Sequence, residues 1–119
     1  MQIEMFTAKL HQAVVTQCDL HYQGSITIDS ELLERSGILP YQKVDIYNIN
    51  NGNRFSTYTL PGKRGSKVIG VNGAAARLCQ VGDRVIIVAF ATFERSEIRD
   101  HQPKVLLLNE KNEVTGEGH

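Results

Sequence analysis

The chain has 119 residues, of which 41% are hydrophobic, so its length suits one domain with a modest core and leaves no room for a second. Lys plus Arg and Asp plus Glu both number 13, and the formal charge is therefore zero, which gives no global attraction to nucleic acid or anionic membrane. The N-terminus has no basic segment followed by an apolar one, and no apolar run approaches the roughly 20 residues of a membrane span. We therefore expect a cytoplasmic protein that binds neither nucleic acid nor membrane.

Short apolar and β-branched runs, separated by glycine and asparagine, predict a mainly β domain with few helices. The best helix is SELLERS, residues 30–36, with Asp29 or Ser30 as its N-cap and Gly37 at its end. Its Leu32 and Leu33 are expected to cover one end of a barrel.

The strongest hairpin signal joins the runs KVDIYNI and RFSTYTL through residues 50–53. These four residues include Asn51-Gly52, a pair that tolerates the positive φ angles of tight hairpin turns. Because side chains alternate along a strand, the second run has two faces. One face carries Arg54, Ser56 and Tyr58, and the other carries Phe55 and Thr57.

Three further elements follow along the chain. We expect a strand over 67–72, a short helical turn over 74–78, and a long strand over 84–93 that begins after the Gly82-Asp83 turn. The last eleven residues, NEKNEVTGEGH, are polar and are expected to fray.

The two cysteines, Cys18 and Cys79, lie far apart in the sequence and belong to no CxxC pair, so we interpret both as reduced thiols. A metal site made of His11, Cys18 and His21 is disfavoured, because Cys18 has the opposite strand parity to both histidines and the spacing matches no zinc pattern. We expect no metal.

Reactive side chains are dense in three stretches, residues 9–11, 19–25 and 54–58. Each stretch also has an ordinary structural explanation, such as a charged strand edge or cross-strand pairs in an exposed hairpin. The dipeptide Gly-Ser occurs twice, but Ser25 differs because it opens an apolar strand directly after a residue without a Cβ. Gly24 lets a neighbouring group approach its carbonyl, which a hydroxyl attacking its own preceding peptide bond requires. The stretch PGKRGSK lacks the residue order of a phosphate loop and is interpreted as a surface loop.

The runs KLHQAVVTQCDLHYQGSITID, YNINNGNRFSTYTLPGKRGS and VNGAAARLCQVGD resemble the three signature blocks of pyruvoyl-dependent aspartate 1-decarboxylases, in register from residue 9 to residue 83. The resemblance implies a six-stranded double-psi β-barrel that assembles as a homotetramer with its sites at subunit interfaces. It also implies a proenzyme that cuts itself into residues 1–24, the β chain, and residues 25–119, the α chain. The implied reaction converts L-aspartate to β-alanine and carbon dioxide, which feeds pantothenate and coenzyme A biosynthesis. The sequence leaves open whether cleavage is spontaneous or needs a maturation helper protein.

The resemblance also implies residue roles. The Ser25 hydroxyl attacks the Gly24 carbonyl and Ser25 becomes a covalent pyruvoyl group, while Thr57 stabilises the oxyanion. The pyruvoyl ketone condenses with the amine of aspartate as a Schiff base and accepts the electrons released with carbon dioxide. Tyr58 then protonates the substrate carbon, and Arg54 anchors a carboxylate. Further substrate-binding positions are Lys9, His11, Tyr22, Thr57, Asn72, Gly73, Ala74 and Ala75.

Two other functions fit the size and strand pattern. A non-enzymatic β-barrel that binds DNA or a partner protein is one, although the balanced charge provides no stripe that follows phosphates. A serine hydrolase that uses Ser25 and a histidine is the other, but the sequence lacks the G-x-S-x-G elbow. Only the decarboxylase predicts backbone cleavage.

Overall fold

Strands dominate the computed structural model, which describes residues 1–118 and contains, within that range, nine strands, one α-helix and two 3₁₀-helices. The strands are β1 (Gln2–Val14), β2 (Gln17–Asp19), β3 (Ser25–Asp29), β4 (Lys43–Asn48), β5 (Arg54–Gly62), β6 (Ile69–Asn72), β7 (Arg84–Glu94), β8 (Lys104–Leu108) and β9 (Val114–Glu117). The helix α1 spans Ser30–Ser36, and the 3₁₀-helices span Gly73–Leu78 and Arg95–Glu97.

The hydrogen-bonded strand order is β2-β6-β3-β5-β4-β7-β1-β8-β9. Three pairs, β1 with β8, β2 with β6 and β3 with β5, are parallel and therefore need crossover connections. The expected mainly β fold with few short helices is confirmed and is consistent with a double-psi β-barrel. Within residues 1–118 there are nine strands rather than six, and no ladder joins β2 to β9, so the sheet is open.

The core forms where apolar side chains alternate along the strands and meet from both halves of the sheet. Its largest fully buried members include Leu10, Ile26, Ile46, Ile87 and Leu106. Helix α1 adds Leu32 and Leu33, which are both buried as predicted.

The signals at the ends of α1 are confirmed. The Asp29 carboxylate accepts a hydrogen bond from the Glu31 N–H at 2.9 Å, and Gly37 ends the helix with φ of 81°. The same carboxylate accepts N–H groups of Gly65 and Lys67 from the PGKRGSK stretch, at 2.9 and 2.8 Å. This stretch is thus a loop fixed against the start of α1.

The hairpin is confirmed, with β4 and β5 paired antiparallel around a turn in which Gly52 has φ of 78°. The register places Tyr47 opposite Arg54, Asp45 opposite Ser56 and Lys43 opposite Tyr58. The later elements are also present, although β6 begins at Ile69 rather than at residue 67 and the predicted helical turn is a 3₁₀-helix.

The prediction of a frayed tail is wrong, because β9 pairs antiparallel with β8. The buried Asn112 side chain explains the order of this segment. Its Oδ1 accepts the Val14 N–H at 2.7 Å, and its Nδ2 donates to the carbonyls of Val14 and Lys67 at 2.9 and 3.0 Å. The polar tail is therefore held by one amide that satisfies backbone groups of distant segments.

Both cysteines are free thiols, and they lie close together although they are distant in sequence. The Cys18 thiol donates to the Cys79 carbonyl at 3.6 Å. Burial, followed by the proximity of Cys18, raises the pKa of the Cys79 thiol to about 11, so this thiol is protonated at neutral pH. Within residues 1–118, no cluster of three or more His, Cys, Asp or Glu side chains could hold a metal, and no helix is long and apolar enough to cross a membrane.

Candidate active site

Ser25 is the first residue of β3 and is fully buried, whereas Gly24 before it is exposed. Its hydroxyl donates to the Gln23 carbonyl at 3.0 Å and accepts a hydrogen bond from Asn72 Nδ2 at 3.0 Å. The antiparallel register of β3 and β6 places Asn72 directly opposite Ser25. Two hydrogen bonds therefore fix the orientation of the hydroxyl next to the Gly24-Ser25 peptide bond.

Gly73 packs against the backbone of the segment that precedes Ser25. It has φ of 72°, and a Cβ at this position would lie 2.7 Å from the Gly24 Cα and 3.1 Å from the Tyr22 carbonyl oxygen. Only glycine allows both the conformation and the close approach. No atom lies within 4 Å of the position of a Cβ on Gly24, so this segment is confined on one side and open on the other.

Thr57 and Tyr58 lie on the strand next to Ser25. The parallel register of β3 and β5 pairs Ile26 with Thr59. This pair is the first of the ladder; Thr57 and Tyr58 precede Thr59 on β5, and Ser25 precedes Ile26 on β3. The Tyr58 side chain is 40% exposed and therefore accessible to a small molecule.

A second set of predicted residues surrounds Tyr47. The Arg54 guanidinium lies 3.8 Å from the centroid of the Tyr47 ring, within the range of a cation–π interaction. Tyr47 and Lys9 line one cavity of about 200 Å³, in which Phe6 also takes part. The Lys9 ammonium lies 5.4 Å from the Phe6 ring. Two positive charges thus flank one tyrosine.

The Tyr47 phenol is hydrogen-bonded to Asp45 on the same strand. The Tyr47 phenol donates to Asp45 Oδ2 at 3.3 Å, and the Ser56 hydroxyl donates to Asp45 Oδ1 at 2.7 Å. Sequence reasoning did not identify Tyr47 as a site residue. The signal was available, because the hairpin register alone makes Tyr47 the cross-strand neighbour of Arg54.

His11 lines a different cavity of about 250 Å³, together with Lys9, Val105, Leu107 and Gly118. Lys9 therefore lies between this cavity and the one beside Tyr47. Of the other predicted positions, Tyr22 is 54% exposed on the loop before Gly24. Ala74 is exposed and Ala75 is half-buried in the first turn of the Gly73–Leu78 helix.

The β4–β5 turn and the Gly73–Leu78 helix are joined by three asparagine amides. Asn48, Asn51 and Asn53 all donate to the Leu78 carbonyl, at 3.2, 3.1 and 3.3 Å. This contact links the strand that carries Thr57 and Tyr58 to the helix that follows Asn72.

One chain therefore holds the predicted residues in two groups. The serine group comprises Gly24, Ser25, Asn72 and Gly73, and the cationic group comprises Lys9 and Arg54 together with Tyr47, which was not predicted. Arg54 and Tyr58 are four residues apart on β5, which is about 13 Å along a strand. Three strands, β5, β4 and β7, lie between β3 and β1 in the sheet. The structure thus brings Ser25 together with Asn72, packs Gly73 against Gly24, and places Lys9 and Arg54 in the other group.

These features define a small, mainly β protein with a buried serine at the start of a strand and a separate group of cationic side chains. The family model described as aspartate decarboxylase matches residues 1–115. Aspartate 1-decarboxylase of Hyphomonas neptunium is 59% identical over 114 residues, 96% of this chain and 97% of that protein. Aspartate 1-decarboxylase of Maricaulis maris is 57% identical over 96% of this chain and 94% of its own length. Aspartate 1-decarboxylase of Carboxydothermus hydrogenoformans is 56% identical over 96% of this chain and 90% of its own length. The chain belongs to the aspartate decarboxylase family, and the identification made from the sequence motifs is confirmed.

Proposed function

We propose that this chain is a self-processing, pyruvoyl-dependent aspartate 1-decarboxylase that releases β-alanine and carbon dioxide from L-aspartate. Family membership supports the reaction. The observation that carries the mechanism is the Ser25 hydroxyl, which is buried, held by Gln23 and Asn72, and adjacent to a glycine peptide that packs on Gly73.

The cleavage begins with the chain's own groups. Ser25 Oγ bonds to the Gly24 carbonyl carbon, the Gly24-Ser25 amide bond breaks, and the freed Ser25 nitrogen takes up the hydroxyl proton. Loss of the Ser25 Cα proton and cleavage of its Cβ–Oγ bond then release residues 1–24 with a Gly24 carboxylate and leave a dehydroalanine at residue 25. Water hydrolyses the dehydroalanine, ammonia leaves, and residues 25–119 begin with the pyruvoyl group. Negative charge develops on the Gly24 oxygen during attack, and Thr57, on the strand that pairs with β3, is the proposed hydroxyl donor.

The surroundings of residue 25 suit a pyruvoyl group. Asn72 Nδ2 donates to Ser25 Oγ, an oxygen that leaves with Gly24, so this amide is then free to donate to the ketone at residue 25. The missing Cβ of Gly73 leaves the backbone of the Gly73–Leu78 helix close to the cleavage point. The pyruvoyl group supplies the electron sink that ordinary side chains lack. We assign the N–H groups of Gly73, Ala74 and Ala75 as additional donors, and Tyr58 as the acid that protonates the substrate carbon.

The cationic group is suited to the two carboxylates of aspartate. A guanidinium can bind a carboxylate with two parallel hydrogen bonds, and stacking on Tyr47 holds the Arg54 plane in one orientation. Lys9 contributes a second positive charge beside the same ring. We assign His11 and Tyr22 to the periphery of the substrate site.

We further propose that each site combines the serine group of one chain with the cationic group of a neighbour in a homotetramer. The strand order supports this arrangement, because three strands lie between β1, which carries Lys9, and β3, which carries Ser25.

Mixed oligomers test both proposals. Ser25→Ala chains remain uncut but keep the cationic group, and Arg54→Ala chains are cut but lack one cation. Co-assembly of the two inactive variants should restore part of the β-alanine formation, because some sites receive both intact groups. Ser25→Ala co-assembled with a Ser25→Ala/Arg54→Ala variant is the matched control and should remain inactive. Absence of recovery in verified mixed oligomers would place the complete site within one chain.

A further inference from the structure

Asn72 does not contact Ser25 alone. Its Nδ2 donates to Ser25 Oγ and to Thr27 Oγ1, in both cases at 3.0 Å. Ser25 and Thr27 are two residues apart on β3 and therefore face the same side of the sheet. The two hydrogens of one amide are thus shared between the proposed nucleophile and a threonine that the proposed mechanism does not use.

The orientation of Thr27 is itself fixed by packing. Its Cγ2 methyl lies 3.0 Å from the position of a Cβ on Gly62, the residue at which β5 ends. A β-branched side chain has few χ1 rotamers, so a methyl group packed on Gly62 restricts the hydroxyl to the opposite direction. That direction is toward Asn72.

We propose that Thr27 is a positioning residue for self-cleavage, which acts through the Asn72 amide on the Ser25 hydroxyl; this inference rests on the function proposed above. An amide held by one hydrogen bond can rotate about its terminal torsion, whose energy minimum is broad. The bond to Thr27 removes this freedom and keeps the second Asn72 hydrogen on Ser25 Oγ.

The orientation of the Asn72 amide matters because it determines which lone pair of Ser25 Oγ stays free for the attack. Accepting from Asn72 uses one lone pair of Oγ, and donation to the Gln23 carbonyl directs the hydroxyl hydrogen away from Asn72. The remaining lone pair is available to the Gly24 carbonyl carbon. Thr27 therefore contributes to the alignment of the attack without contacting either reacting atom.

The test follows cleavage of freshly translated chain in a cell-free reaction supplemented with cell extract, by time-resolved intact mass. Thr27→Val should slow cleavage about 5- to 10-fold, the loss expected for one neutral hydrogen bond, while Thr27→Ser, which keeps the hydroxyl but loses the methyl packed on Gly62, should cleave faster than Thr27→Val. Thr115→Val, which removes an exposed hydroxyl on β9, is the control and should cleave normally. If Thr27→Val does not fold, Thr27→Ala compared with Thr27→Ser makes the same comparison.

A double-mutant cycle separates positioning from general support of the fold. In an Asn72→Ala background, Thr27→Val should change the cleavage rate by less than about two-fold, since its target is gone. The positioning role of Thr27 is refuted if Thr27→Val slows cleavage by the same factor in the wild-type and Asn72→Ala backgrounds, or if Thr27→Val is cleaved at the wild-type rate. Either result leaves the proposed function standing. An uncut wild-type chain would overturn the proposed function, and this inference with it.

Discussion

Asp29→Asn should destabilise the protein strongly, although the change adds no bulk and lies outside both site groups. The carboxylate is fully buried and accepts three backbone N–H groups, from Glu31 and Gly65 on Oδ1 and from Lys67 on Oδ2. An asparagine can keep the two bonds to one oxygen, but its NH₂ then faces the Lys67 N–H. Losing a charge-assisted bond and leaving a buried donor unsatisfied should lower the free energy of unfolding by about 2–3 kcal/mol.

Urea unfolding at neutral pH measures this loss. With a typical slope of about 1–3 kcal/mol per molar urea, the midpoint should fall by about 1 M or more. Asp100→Asn, at an exposed position, is the matched control and should unfold at the wild-type midpoint. A midpoint for Asp29→Asn within error of the control would show that the three hydrogen bonds contribute little.

The same carboxylate predicts a pH dependence. Burial alone would raise the pKa of Asp29, but the N–H groups of Lys67, Glu31 and Gly65 outweigh it and hold the pKa below its usual value. A lowered pKa in the folded state means that the stabilisation is complete above the unfolded-state pKa of about 3.9 and is lost as the pH falls through the folded-state value. The stability gap between wild type and Asp29→Asn should therefore narrow as the pH falls below about 4. An unchanged gap would refute the assignment.

Three substitutions test the proposed site. Thr57→Val removes a hydroxyl at nearly constant volume and should slow cleavage about 10²- to 10³-fold by intact mass, whereas cleavage at the wild-type rate would make Thr57 an ordinary strand residue. Tyr58→Phe should still be cleaved but should form β-alanine about 10²- to 10⁴-fold more slowly, and full turnover by fully cleaved protein would assign the proton to another donor. Arg54→Lys keeps the charge but loses the planar stack on Tyr47, so KM for aspartate should rise about ten-fold with unchanged cleavage. An unchanged KM would remove Arg54 from substrate binding.

Sequence signals predicted correctly the helix and the hairpin, whose formation depends on residues close together in the chain. The cap at Asp29, the stop at Gly37 and the Asn51-Gly52 turn each act over a few residues, and the structure confirms α1 and the hairpin. The resemblance of the sequence motifs also predicted the protein family and the mainly β fold. The roles of the individual site residues stay predictions.

Non-local contacts account for what sequence reasoning missed. The tail is held by β8 and by the Asn112 side chain, which bonds to backbone groups of Val14 and Lys67, two residues remote in sequence. The separation of Lys9 from Ser25 depends on the strand order, in which three strands lie between β1 and β3. No pattern along the chain contains that order.

The most direct test is an intact mass measurement of the purified wild-type protein beside Ser25→Ala. We expect the wild type to consist of a 24-residue fragment ending at Gly24 and a fragment beginning at residue 25 that resists Edman sequencing, because a ketone replaces its amine. Ser25→Ala should give one uncut chain. A single intact mass for the wild type after prolonged incubation with cell extract, accompanied by β-alanine formation from aspartate, would contradict the pyruvoyl mechanism.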